Sequence, residues 1–276
     1  MAQCSNWLVR SLAALWYRLD RRHRRIALAN LKFAYGDTLD ALARERLARE
    51  VFCHFVRFGW EILELLLAPL AFIRRKVVLV GEEHMTAALA QGRGAIAMAA
   101  HTGNWEYTVM GYGLLCRPGV VVGRDLDQPW AARLARYLRE RGGNFMVAKQ
   151  KGMKGIMGHL RHNRPVGIVI DQNTTTAGGL LVDFFGKPAR TTPVAALLAR
   201  RGIPVLPTLS RRLPDGRHLM VIMPPLPLKK TSDAQADIQR HLEIQSRIIE
   251  AWVRAEPAQW LWLHRRWKNQ FPEIYE

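Results

Sequence analysis

The stretch Gly94-Ala-Ile-Ala-Met-Ala-Ala100, followed by His101-Thr-Gly-Asn-Trp-Glu106, decides the fold of this chain. Its first half is an apolar run bounded by glycine, which predicts a buried strand. Residues 107–116 are also apolar and predict a helix, with Asn104 as its N-cap. His101 would then lie at the carboxyl end of a strand, where open α/β sheets bind ligands, beside the free N–H groups of a helix N-terminus.

His101 and Glu106 are predicted to act together. Five residues along a continuous helix turn through roughly 140°, so the two side chains would face apart there. A turn at Gly103 can bring them together instead. Glu106 would then hold one imidazole nitrogen while the other accepts a proton from a bound hydroxyl, as acyl transfer requires. A purely structural hydrogen bond is the alternative interpretation of the pair.

Strand and helix patterns alternate along the rest of the chain. Strands are predicted at residues 77–80, 120–122, 145–147, 166–170, 205–209 and 218–223. The alternation favours an α/β fold with a mixed, largely parallel sheet flanked by helices. Residues 1–75 are predicted to form a helical, membrane-proximal N-terminal arm, and residues 76–276 the α/β catalytic domain. Within the arm, a long helix is predicted from Thr38, its capping candidate, to Pro69.

Polar side chains follow two of these strands. Arg124 comes after residues 120–122, and its guanidinium can clamp a phosphate in the crevice that His101 would enter. Asp171 follows residues 166–170 and can orient a substrate hydroxyl or pair with Arg124. A buried ion pair that only fixes the two loops is the alternative. Phe184 and Phe185 are predicted to flank an apolar tail.

The chain carries a large positive charge. Its 276 residues have a formal net charge of +18, which points to a polyanionic partner: nucleic acid, an anionic membrane, a phosphorylated substrate or an acidic carrier protein. The apolar residues 7–17 are too few to cross a bilayer and include Arg10. Their tryptophans, next to the basic residues 21–25, suit a helix lying on an anionic leaflet. An amphipathic helix packed on the domain is the alternative.

Residues 257–268 interleave aromatic and cationic side chains. Such a segment can stack on nucleic-acid bases, anchor at a membrane interface, or pack in the core with its arginines stacked on rings. Metal binding is not expected, because the three cysteines have no ligand spacing and too few histidines cluster near His101.

Several blocks together resemble the bacterial lipid A biosynthesis acyltransferases, within the glycerolipid acyltransferase superfamily. In chain order the matching blocks are Arg22-x-x-Arg25-x-Ala27-x-x-Asn30-Leu31, His101-Thr-Gly-Asn-Trp-Glu106, Gly123-Arg124-x-Leu126-Asp127-x-Pro129, Asp171-Gln172 with Phe184-Phe185-Gly186-x-Pro188-Ala189, and Pro257-x-Gln259-Trp260-x-Trp262-x-His264-Arg265-Arg266-Trp267-Lys268. Together they cover nearly the whole chain.

This resemblance implies a glycerol-3-phosphate acyltransferase-like fold and transfer of a fatty acyl chain from acyl carrier protein or coenzyme A to a hydroxyl of an anionic glycolipid. His101 would be the general base and Glu106 its orienting carboxylate. The expected substrate-binding residues are Arg124, Asp171, Gln172, Asn104, Phe184 and Phe185. No cofactor, metal or nucleic acid is implied, since transfer from a thioester to an alcohol needs only a base and a stabilised oxyanion.

The chain departs from the family pattern in two places. Family members typically begin with a transmembrane helix, whereas residues 7–17 are short and interrupted by arginine. Peripheral or monotopic attachment to an anionic membrane, at the cytoplasmic face of the bacterial inner membrane, is therefore expected. Residues 173–177 are less charged than the family pattern, so a lysophospholipid or an aminolipid is an alternative acceptor. A basic nucleic-acid-binding protein and a metallohydrolase are the alternative classes of function.

Overall fold

The computed structural model describes residues 7–123, 128–148 and 152–276. The helices in this part of the chain are α1 (Trp7–Leu19), α2 (Arg21–Tyr35), α3 (Ala41–Leu67), α4 (Leu70–Lys76), α5 (Glu82–Leu89), α6 (Trp105–Leu115), α7 (Pro129–Arg141), α8 (Gly152–Arg161), α9 (Val194–Arg200) and α10 (Ala234–Ala255). The strands are β1 (Val77–Val80), β2 (Ala95–Ala99), β3 (Val120–Gly123), β4 (Phe145–Ala148), β5 (Pro165–Val169), β6 (Leu180–Phe184), β7 (Lys187–Thr191), β8 (Val205–Arg212) and β9 (His218–Ile222).

Seven strands form the central sheet, in the order β1-β9-β8-β2-β5-β3-β4. Every pair of neighbours is parallel except β8 and β9, which are antiparallel. Because helices cover such a sheet, its central strands are apolar on both faces. The predicted α/β fold with a mixed, largely parallel sheet is thereby confirmed.

The strand and helix around His101 form as predicted. Strand β2 is largely buried, and Gly94 before it has φ +73°, a conformation that favours glycine. Helix α6 begins at Trp105, and the Asn104 side chain accepts a hydrogen bond from the Tyr107 N–H at 3.1 Å. This bond satisfies one of the free N–H groups at the start of the helix, so Asn104 is the predicted N-cap.

Helices α1 to α4 pack against one another and against the rest of the molecule. Leu31 and Phe52 are fully buried in the same apolar cluster as sheet residues such as Ile168. Helix α3 begins at Ala41 rather than at Thr38, because Asp40 caps it by accepting the Ala43 N–H at 2.7 Å. The division of the chain at residue 75 remains a prediction.

A two-stranded hairpin, β6–β7, follows the sheet strand β5 and was not predicted from the sequence. Its turn lies at Phe185 and Gly186, with φ values of +60° and +70°. Both residues of a type I′ turn need positive φ, and a phenylalanine there gives no turn signal. Phe184 and Phe185 are buried in the aromatic core, where Phe184 contacts Trp260 and Trp267.

The aromatic and basic C-terminal segment is packed in the core. Trp260, Trp262 and Trp267 are each at most 1% exposed. The guanidinium of buried Arg266 lies 5.3 Å from the centre of the Phe184 ring. Of the three interpretations of this segment, core packing with a stacked arginine is therefore the one the structure supports.

None of the helices in the described part of the chain has the length and apolar character needed to cross a bilayer.

Candidate active site

His101 and Asp171 meet where two neighbouring strands end. Strands β2 and β5 are parallel, and Ala99 is opposite Val169 in their register. The chain leaves both strands at the same edge of the sheet, so His101 and Asp171 emerge side by side. This edge is the carboxyl end of the parallel strands, where α/β folds bind ligands.

The Asp171 carboxylate accepts three hydrogen bonds. The His101 backbone N–H and the Trp260 indole N–H both donate to Oδ2 at 2.8 Å. The His101 Nδ1 lies 2.8 Å from Oδ1. An ionised carboxylate can only accept hydrogen bonds, so Nδ1 carries a proton, and the neutral form of the ring has its lone pair on Nε2. The hydrogen bond to Asp171 thus holds the imidazole ring in place and leaves its Nε2 atom available to accept a proton.

The charge of Asp171 is retained despite its burial. Burial alone raises the pKa of a carboxyl group, but the charge and hydrogen bonds of His101, with the Trp260 indole, outweigh burial and lower the pKa of Asp171 to about 2. Asp171 is therefore ionised at neutral pH and stabilises an imidazolium at His101, which is what a general base needs as it takes up a proton.

Glu106 has a different partner from the one predicted. The Arg139 side chain of α7 donates from Nε at 3.0 Å and from Nη2 at 2.6 Å to the two Glu106 oxygens. Both side chains are mostly buried, at 17% and 10% exposed. The imidazole therefore donates to Asp171 and not, as predicted, to Glu106.

Glycine at the end of β3 makes room for Arg139. A Cβ atom on Gly123 would lie 2.7 Å from the Arg139 Nη1 atom, closer than real contacts allow. Arg139 can therefore cross the end of this strand to reach Glu106. Two planar groups joined by two hydrogen bonds hold each other rigidly, so α6 and α7 are joined beside His101.

The remaining predicted residues are not all at the site. Gln172 lines the cavity next to His101. Asn104 is fully buried as a helix cap, and Phe184 and Phe185 lie in the aromatic core. Arg124 lies outside the described residues.

The C-terminal segment holds the loop that follows β5. Arg266 donates to the Gln172 carbonyl at 3.0 Å, and the Asn173 N–H donates to His264 Nε2 at 3.0 Å. Burial lowers the pKa of His264 to about 4, an effect that the nearby Asp171 charge only partly offsets. His264 is therefore neutral at pH 7 and can accept the Asn173 hydrogen bond.

A cavity of about 560 Å³ opens next to His101 and extends between the sheet and α6. Its sheet side includes small residues: Ala97 and Ala99 of β2, and Gly167 of β5. Val109 and Tyr112 of α6 line it from the other side. A mostly apolar cavity of this size next to an imidazole suits a hydrocarbon chain whose reactive end lies at His101.

Three functional candidates were missed from the sequence. Arg139 is one of many arginines in a basic chain, and nothing in its local pattern sets it apart. Trp260 and His264 belong to a segment whose composition fits core packing as well as ligand binding. Their contacts with residues 171–173 span about ninety positions along the chain, and local patterns carry no information on such distant pairs.

The chain matches the family model described as bacterial lipid A biosynthesis acyltransferase over residues 3–269. It is 26% identical to the lipid A biosynthesis lauroyltransferase of Escherichia coli, over 94% of this chain and 83% of that protein. It is also 26% identical to the palmitoleoyltransferase of the same organism, over 91% of this chain and 80% of the relative. A phosphatidylinositol mannoside acyltransferase of Mycobacterium tuberculosis is 34% identical over 48% of this chain and 43% of its own length.

The neutral state of His264 predicts a stability loss in mild acid. Its pKa falls from the ordinary value of 6.5 to about 4 on folding. Between these values the unfolded chain binds more protons, so stability is present above pH 6.5 and falls as the pH drops toward 4. The free energy of unfolding should decrease between pH 7 and pH 5 in the wild type. We expect this decrease to be smaller by about 2 kcal/mol in His264→Gln, as measured by urea denaturation at the two pH values. The exposed His162, changed to Gln, should leave this loss as in the wild type; an equal loss in His264→Gln would contradict the assignment.

Proposed function

Since this chain belongs to the bacterial lipid A biosynthesis acyltransferase family and is an acyltransferase, we propose that it transfers a fatty acyl chain from a thioester to a hydroxyl of a lipid A precursor at a membrane surface. The observation that carries the proposal is the hydrogen bond of buried Asp171 to His101, which lines a mostly apolar cavity. The thioester would be that of acyl carrier protein or coenzyme A.

In the proposed reaction His101 is the general base. Its Nε2 takes the proton from the acceptor hydroxyl, and the hydroxyl oxygen attacks the thioester carbonyl carbon. Collapse of the tetrahedral intermediate breaks the C–S bond and forms the ester. The proton on Nε2 then passes to the departing sulfur, which returns His101 to its starting state. Asp171 stabilises the imidazolium while it carries this proton.

Glu106 and Arg139 have a supporting role in this proposal. Both line the cavity, and their bidentate pair is close to the site of reaction. Their opposite charges compensate each other, so Glu106 does not compete with Asp171 for the imidazole. This assigns Glu106 to holding the walls of the site rather than to orienting the base.

The cavity is the proposed site of the acyl chain. Burial of each methylene group contributes about 0.8 kcal/mol to binding, so the binding free energy of an acyl chain should grow with the length that the cavity can hold. The position of Gly167 in the sheet wall is suited to limiting that length. A Cβ atom there would meet only the Val120 carbonyl oxygen at 3.5 Å, an ordinary contact, so larger residues fit the backbone and extend into the cavity.

Membrane attachment is proposed through α1 and α3. Exposed apolar side chains on α1 follow a helical spacing, which places them on one stripe: Leu8, Leu12, Leu15 and Leu19. A second stripe on α3 consists of Trp60, Leu63 and Leu67, all exposed. Leucine and tryptophan stripes next to arginines are typical of helices that lie in the interface of an anionic membrane.

Replacing the proposed base should abolish the reaction. We expect His101→Ala to remove acyl transfer and Asp171→Asn to lower kcat by about 100- to 10,000-fold, because the imidazole loses its base or the carboxylate that orients it. The purified protein is incubated with a thioester of acyl carrier protein or coenzyme A and a lipid acceptor, and mass spectrometry measures the rate at which the acylated lipid forms. Acceptors would be a lipid A precursor, a mannosylated phosphatidylinositol and a lysophospholipid. His162→Ala is the matched control and should be fully active; full activity in His101→Ala would refute the proposed base.

Filling the cavity should shorten the preferred acyl chain. In Gly167→Leu we expect kcat/KM for the longest accepted thioester to fall at least about tenfold relative to a shorter one, because each methylene left unburied costs about fourfold. The assay compares saturated thioesters of increasing length. Gly158→Leu on α8 is the control, since Gly158 does not line the cavity. An unchanged length profile in Gly167→Leu would place the acyl chain elsewhere.

Charging the α1 stripe should release the protein from membranes. We expect Leu12→Glu combined with Leu15→Glu to weaken binding to vesicles of phosphatidylethanolamine and phosphatidylglycerol at least about tenfold, since apolar contact is lost and like charges repel. Flotation of vesicles with the purified protein measures the effect. Leu42→Glu, an equally exposed leucine outside both stripes, should bind as the wild type does. Equal binding by all three proteins would rule out α1 as the contact.

A further inference from the structure

A buried ion pair joins the helical arm to the sheet behind the catalytic loop. Arg212 of β8 donates from Nε and Nη2 to the two oxygens of Glu61 of α3, each at 2.5 Å. Their side chains are only 2% and 7% exposed. Burying two charges costs about as much as their attraction returns, so such a pair is weak evidence for added stability. The pair is therefore of interest for the residues that it contacts and not for the stability that it adds.

Two buried histidines, His54 and His218, lie next to this pair and are uncharged at neutral pH. His54 Nδ1 lies 2.8 Å from Arg212 Nη1 and must accept, because a guanidinium only donates. Burial, reinforced by Arg212, lowers the pKa of His54 well below its ordinary value. Burial also lowers the pKa of His218 to about 3, despite the nearby Glu61. At neutral pH the cluster thus holds one anion and one cation.

Glu61 contacts the loop that carries His101. The Asn104 side chain donates from Nδ2 to Glu61 Oε2 at 2.8 Å. Its Oδ1 atom accepts the Tyr107 N–H at the start of α6. Since a carboxylate only accepts, Glu61 fixes which end of the Asn104 amide faces the helix. The cap of α6 is therefore oriented from α3, a helix of the N-terminal arm.

The backbone of Arg212 also holds this loop, through Gln259, and does so independently of its guanidinium. Its backbone N–H and C=O bond the Gln259 side chain at 2.7 and 3.0 Å. The backbone carbonyl of Gln259 accepts a hydrogen bond from the Gly103 N–H at 3.0 Å. Gly103 has φ +59°, and a Cβ there would lie 2.8 Å from the Arg211 Cα atom, so the loop rests directly on β8.

We propose that the side chains of Glu61 and Arg212 are a positioning pair, which sets the place of His101 through Asn104. The pair lies outside the residues that line the cavity, so it would act through the loop and not on the substrate. A displacement of about 1 Å in a catalytic group can lower a rate about a hundredfold, so a rigid support for this loop has a direct effect on turnover. The inference rests on the proposed function of His101.

The double variant Glu61→Leu with Arg212→Met tests this inference. It removes both charges together, so no unpaired charge is left in the core. The hydrogen bonds to buried Asn104 and His54 are lost with them, so its unfolding midpoint should fall below that of the wild type, but by less than in Glu61→Leu alone. We expect kcat to fall at least about tenfold while KM for the thioester stays within about twofold, because positioning and not binding is lost. Glu61→Gln, which keeps an acceptor for Asn104, should retain more activity than the double variant.

A control and a second variant separate positioning from folding. Arg200→Met removes a partner of the buried Asp237 carboxylate; neither residue lines the cavity, so kcat should be unchanged. Asn104→Ser keeps a helix cap but is too short to reach Glu61, so it should reproduce the fall in kcat even if the double variant does not fold. Wild-type kcat in Asn104→Ser, or in a folded double variant, would overturn the inference.

Chemical modification gives a readout that needs no acyl transfer. Diethyl pyrocarbonate modifies imidazole nitrogens, and peptide mass spectrometry follows His101 with exposed His162 as an internal reference. We expect the relative rate at His101 to rise at least about threefold in the double variant and in Asn104→Ser, because a loosened loop exposes the ring. An unchanged rate would overturn the positioning role. A wild-type protein inactive on every thioester would instead refute the proposed function.

Discussion

Three hydrogen bonds converge on the buried carboxylate of Asp171, and the arrangement of the site depends on them. They come from the His101 backbone, the His101 imidazole and the Trp260 indole. An ionised group without such partners would cost several kcal/mol in the interior. The loops after β2 and β5 and the C-terminal segment must therefore come together as a unit. The burial of the carboxylate and the orientation of the imidazole are thus consequences of the same contacts.

The N-terminal arm is part of the site as well as a covering layer. On its inner side, Glu61 bonds the helix cap Asn104, and the Tyr107 hydroxyl donates to Glu64 at 2.9 Å. Phe58 packs on Trp105, whose ring in turn contacts His101 edge-on. The outer side of the same helix carries an exposed apolar stripe. Helix α3 thereby combines support for the loop that carries His101 with the surface proposed to contact lipid.

The site contains two carboxylates, Glu106 and Asp171, and each has a different partner. Glu106 is five residues from His101 along the chain, but Arg139 binds both of its oxygens. Asp171 is seventy residues away and bonds the ring directly. Since a guanidinium with two parallel hydrogen bonds is a strong competitor for a carboxylate, the nearer acid is unavailable to the histidine.

The sequence by itself determined the local elements of this protein. The apolar run before His101, the Asn104 cap and the alternation of strands and helices predicted β2, α6 and the mixed sheet, because hydrophobic periodicity and capping are properties of neighbouring residues. The hairpin turn at Phe185 escaped prediction, since its positive φ has no signal in that residue type. Only the tertiary structure decided which acid serves His101, which cation holds Glu106 and which residues line the cavity. These pairings depend on the order of strands in the sheet and on side chains far apart in the chain, whose contacts no local pattern records.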